Sequence, residues 1–86
     1  MPTTLLLVDT NRIALNHLRR SIKETVRQTE VVVAYDALMA VQICTMQPIN
    51  GVIASEDLPY VDGADLKHIL EIYYPKMRVM LTSVDA

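Results

Sequence analysis

Eighty-six residues, 51% of them apolar and 21% charged, make one globular domain: the chain is too short for two cores and too apolar for a disordered segment. A net charge of −2 argues against a dedicated nucleic-acid binder, because the phosphate backbone rewards clustered Lys and Arg. The single cysteine, Cys44, excludes a disulfide framework and a thiolate zinc site and fits a reducing cytoplasm, while the apolar run Leu5 to Val8 is too short for a signal sequence or a membrane span.

Leu5-Leu6-Leu7-Val8 reads as a strand buried on both faces of a parallel sheet. Asp9, Thr10 and Asn11 then offer cap-forming side chains to a helix from about Arg12 to Gln28, with Leu15, Leu18, Ile22 and Val26 on one stripe. Arg12, Arg19, Arg20, Lys23 and Arg27 put five of the eight basic residues in this segment, mostly on the other side, as a solvated face. Val31 to Ala34 is β-branched and predicts a second strand; Asp36 can cap a helix from Ala37 to Gln47 that Pro48 stops. Val52 to Ala54 is the third strand. After a Leu58-Pro59 loop, Asp62 can cap a helix from Ala64 to Tyr74 that Pro75 ends, and Arg78 to Thr82 is the fourth strand. Such alternation predicts an α/β sheet built from right-handed βαβ units.

The segment Asn50 to Gly63 runs from an apolar strand into an acidic, Pro-containing loop that opens a helix. It resembles the phosphoacceptor segment of response-regulator receiver domains, in which an apolar strand ends in the acceptor Asp and Leu/Met-Pro-x-Met/Val-Asp-Gly follows. Leu6-Leu7-Val8-Asp9 is similar to the receiver's first strand and its acidic end, Ala34 to Val41 to its Ala-x-Asp-Gly-x-x-Ala-Leu segment, and Leu81-Thr82-Ser83 to its Leu-Thr-Ala. The resemblance implies a flavodoxin-like parallel sheet of order 2-1-3-4 in a single domain over 1–86. It also implies a fifth strand bearing Lys-Pro and two further helices that these residues do not include, a receiver truncated after the fourth strand. Sites in such sheets lie beyond the carboxyl ends of the strands, where Asp9, Thr10, Ser55 and Thr82 are expected to meet.

Residue by residue, the resemblance implies a degenerate site. Asp9 keeps one of the two acids that hold Mg²⁺ in a receiver, Thr10 replaces the other, Ser55 stands at the acceptor position, and Thr82 keeps the phosphoryl-gripping hydroxyl. A divalent cation about 4 Å from a carboxylate gains roughly 8 kcal/mol gross at an effective dielectric of 20. Two lost carboxylates therefore remove most of the attraction, and no cofactor or Mg²⁺ site is expected. Phosphoryl transfer depends on positioning and charge neutralisation, and Ser55 has no motif-placed base, since His17 and His68 fall on helices. Glu56 and Asp57 are the substitute carboxylates that could join Asp9 around a metal. No Ser-His-Asp set, zinc spacing or Gly-rich phosphate loop is present, so no catalytic residue is assigned.

Surfaces remain. From Ala37 to Ser55 no residue is charged, and Leu38, Met39 and Met46 stand where receivers carry polar side chains, so they are interface candidates. Val79 and Leu81 join them on a fourth strand with no Pro or bulge signal to blunt its edge. Without a fifth helix, three or four of Leu5, Leu7, Ile53, Val79 and Leu81 are expected to stay wet, a shortfall of roughly 5–10 kcal/mol. A twofold homodimer would cover them; a neighbouring domain of a longer protein is the competing cover.

The favoured reading is a non-enzymatic, non-phosphorylatable receiver-like module of cytoplasmic two-component signalling, bound to itself, a histidine kinase, a phosphotransfer domain or another receiver, and to neither nucleic acid nor membrane. The alternative is an active phosphoacceptor using Asp57 or Ser55 with a metal near Asp9. An unrelated small α/β ligand-binding protein is the third reading.

Overall fold

Strand and helix alternate through the computed structural model, which describes residues 3–83. The strands are β1 (Thr3–Val8), β2 (Thr29–Ala34), β3 (Gly51–Ser55) and β4 (Arg78–Thr82); the helices are α1 (Arg12–Thr25), α2 (Ala37–Met46) and α3 (Gly63–Tyr73). Each helix starts on a side-chain cap. Asn11 accepts from the N–H groups of Ile13 and Ala14, Asp36 from that of Met39, and Asp62 from that of Asp65, satisfying donors that the first helical turn leaves free. Pro48 and Pro75 follow the ends of α2 and α3.

The strands form one parallel sheet in the order β2-β1-β3-β4, the flavodoxin-like arrangement. Its register brings Val8 beside both Ala34 and Ala54, and Ser55 beside Thr82. Alternation along the strands sends Leu6, Val8, Val52 and Ala54 into the main core, against Ala40, Leu66 and Leu70 of α2 and α3 and Leu58 of the β3–α3 loop. Leu6, Leu66 and Leu70 are fully buried, each worth roughly 1.5–3 kcal/mol relative to exposure. Ala34, Ala37, Ala40 and Ala54 keep this layer thin enough for the helices to lie close to the sheet. Among the described residues, the opposite face carries α1, which packs on β1 and β2.

Three expectations need correction. The first helix ends at Thr25, because Val26 is extended (φ −114°, ψ 118°) and Gln28 turns the chain at φ 57°. The next residues, Thr29 and Glu30, instead pair with Thr3 and Thr4, lengthening both strands; β-branched residues favour that outcome. Leu7, expected to be wet, is fully buried, and Leu15 of α1 is buried with it, because α1 crosses that part of the sheet. Val79 and Leu81 are half-buried and packed inward on the main core. The apolar side chain that β4 leaves bare is Met80, 63% exposed, while Leu5 and Ile53 are half-buried. The bare area is therefore smaller than the expected shortfall required.

Candidate functional site

Parallel strands ending together place the predicted residues at one pole. Ser55 closes β3 beside Thr82 of β4, and the Glu56 N–H donates to the Thr82 carbonyl at 2.9 Å. On the other side of β3, the Asp9 N–H donates to the Ala34 carbonyl at 3.1 Å, continuing the β1–β2 ladder by one residue. Asp9 is half-buried; Thr10, Glu56, Asp57 and Thr82 are exposed.

The polar atoms at this pole are used locally. Ser55 is 1% exposed and its Oγ accepts the Asp57 N–H at 3.2 Å, a side-chain turn that holds the start of the loop. The Asp9 carboxylate accepts the Asn11 N–H at 3.0 Å, which steadies the entry to α1. Asp9, Glu56 and Asp57 do not close into a three-carboxylate group; among the described residues no three His, Cys, Asp or Glu side chains do. A hard cation needs several converging oxygens, carboxylates first. Ser55 at the end of β3 supplies instead a neutral, buried hydroxyl that already accepts a backbone donor, so the residues present do not fit the Mg²⁺ of a phosphoacceptor site. His17 and His68 are exposed on α1 and α3.

The loop from Ser55 to α3 is held from below. Leu58 is 6% exposed within the main core, and the Gly63 N–H donates to the Glu56 carbonyl at 3.0 Å. Gly63 has no room for a side chain: a Cβ there would strike the Ser55 carbonyl oxygen and come within 2.8 Å of the Glu56 Cα. Between them the loop carries Tyr60 outward, fully exposed, at φ 68°, a conformation that non-glycine residues seldom adopt. Arg12 stacks on the Tyr35 ring with 4.2 Å from guanidinium carbon to centroid, joining the start of α1 to the end of β2. Sequence reasoning missed these last three features. A glycine directly after a helix cap, where helix propensity is poor, was the one available signal, for Gly63.

Among the surface candidates, Leu38 is 69% and Met46 81% exposed, whereas Met39 is half-buried against the main core. At the far pole, a groove of about 500 Å³ opens between the carboxyl ends of α2 and α3, with Cys44, Ile49 and Met77 in its wall. Burial pushes the Cys44 thiol pKa up from its ordinary value, leaving it neutral and unreactive at physiological pH.

No family model matches the chain, and no curated protein does. Solved structures do. The signal receiver domain of an HD domain-containing protein from Pseudomonas fluorescens Pf-5 is similar at 26% identity and a TM-score of 0.91, over 99% of this chain and 66% of that one. A response regulator receiver protein from Pseudomonas putida shares 22% identity at a TM-score of 0.88, over 100% of this chain and 71% of that one. A chemotaxis protein of Vibrio cholerae shares 14% at 0.89, over 100% and 72%. The chain thus spans about two thirds of the length of these structures.

Topology and pole together define an open, parallel α/β sheet whose site lies beyond the carboxyl ends of its strands. Within that class the chain has the fold of the receiver structures it resembles.

Proposed function

We propose that this domain acts in two-component signalling as an interaction module that does not accept a phosphoryl group. The observation that carries the reading is Ser55: buried, neutral and engaged by the Asp57 N–H, with no metal-holding carboxylate group closing among the described residues. Phosphoryl transfer draws its rate from metal and cationic neutralisation of the moving group, and a hydroxyl without either, and without a base, is a poor nucleophile. The role left to the domain is binding. Among the described residues no helix is long and apolar enough to cross a membrane, and the cytoplasm, where two-component relays run, is the location that goes with this reading.

Incubation with Mg²⁺ and acetyl phosphate, read by intact mass, tests it: the mass is expected to stay unchanged, and one added phosphoryl group per chain would overturn the proposal in favour of a divergent acceptor at Ser55 or Asp57.

Homodimerisation fits the exposed surfaces best. β4 is an edge of the described sheet, with Met80 bare on it and Leu38 and Met46 bare on α2, and unpaired edges and apolar patches favour association. Partners with an acidic face, whether a histidine kinase, a phosphotransfer domain or another receiver, would meet the exposed arginines of α1. Sedimentation at low micromolar concentration is expected to show a dimer; a folded monomer there would remove this part of the reading.

A further inference from the structure

The groove at the far pole lies between the carboxyl ends of α2 and α3. Pro48 and Pro75 follow the ends of α2 and α3 there, and the segments that follow diverge into β3 and β4, leaving a hollow between the helix ends. Its volume of about 500 Å³ falls inside the range of roughly 300–1,000 Å³ typical of small-molecule sites. Ile49, Tyr74 and Met77 line it half-buried, Cys44 closes it as a buried apolar contact, and Tyr73 stands on its rim, 73% exposed. One charged group lines it, the exposed Lys76. The neighbouring α2 and β3 carry no charge.

We propose that this groove binds a small amphipathic anion: an aromatic or branched apolar body seated against Ile49, Tyr74 and Met77, with a single acidic group paired to Lys76. An apolar body releases water from those side chains, and the tyrosine rings suit an aromatic one. One cation matches one negative charge, whereas a polyphosphate would leave charge unpaired and a cationic ligand would be repelled. An amphipathic helix needs a longer trough, with anchors spaced over two turns. The site is independent of the Ser55 pole and goes beyond the interaction role.

The probe is 1-anilinonaphthalene-8-sulfonate, titrated into the full chain and followed by fluorescence and amide NMR. One molecule per chain is expected, with shifts confined to Cys44, Ile49, Asn50 and the Tyr73 to Met77 segment. Lys76→Glu should weaken the probe about tenfold, while Arg20→Glu, the same charge change on α1, leaves it unaltered. N-phenyl-1-naphthylamine, which has the rings without the sulfonate, should bind wild type and Lys76→Glu alike. Shifts centred on Ile53 and Met80, more than one molecule per chain, or indifference to Lys76→Glu would overturn the proposal. So would sedimentation showing that the probe splits a dimer, which would assign the groove to a second copy.

Discussion

Gly63→Ala is expected to destabilise the domain by roughly 3–5 kcal/mol, a large part of what a chain of this size has to lose. The added methyl would strike the Ser55 carbonyl oxygen and the Glu56 backbone, and neither can turn aside as a side-chain tip can. Relief requires the β3–α3 loop to lift away, breaking the hydrogen bond from Gly63 N–H to Glu56 carbonyl and drawing Leu58 out of the core. Gly51→Ala makes the control. There the nearest atom is the Leu5 Cδ2 at 3.1 Å, which a small rotation moves, so a loss of about 1 kcal/mol is expected. Urea unfolding of both variants checks the pair. Equal losses would mean that the loop after Ser55 is not seated on the start of α3 as described.

That seat explains which parts of the site the sequence could reveal. The strands were readable because Leu5 to Val8 and Val31 to Ala34 are apolar and bounded by cap and turn residues, and Asp36 and Asp62 cap helices where their spacing predicts. Convergence of Asp9, Ser55 and Thr82 follows from parallel strands ending at one pole. What the order of residues could not supply is direction. Val79 and Leu81 are as apolar as Met80, and only the pairing of Ala54 with Leu81 and Ser55 with Thr82 decides that the first two face the α2–α3 core while Met80 stays bare, since a one-residue slip exchanges the two faces. Leu7 is covered for a similar reason: α1 lies over β1 and β2 rather than centrally, a choice of packing that its leucine stripe does not encode. The far groove was invisible because its walls come from residues near 44–50 and 73–77, which meet only after folding.

Restoring the acidic residue with Ser55→Asp is expected to destabilise the domain rather than to recover phosphoryl acceptance. The position is 1% exposed, and a carboxylate buried there without a cation loses its hydration while gaining little beyond the Asp57 N–H, a cost of several kcal/mol. Burial would raise the new carboxyl's folded-state pKa above the unfolded value of about 3.9. Its sign follows from linkage. Below the unfolded pKa both states are protonated and the variant differs little from wild type; as pH rises past it, the unfolded chain releases the proton more readily and the folded state loses ground. Urea unfolding should therefore show a small deficit near pH 4 and a much larger one at pH 7. Mg²⁺ is expected to return little of that loss, because the Asp9 carboxylate is already bonded to the Asn11 N–H, Thr10 is neutral, and Asp9, Glu56 and Asp57 do not close into one group among the described residues. A variant as stable as wild type at pH 7 that takes up phosphate from acetyl phosphate would show instead that this pole retains the charge balance of an active receiver, and that Ser55 alone silences it.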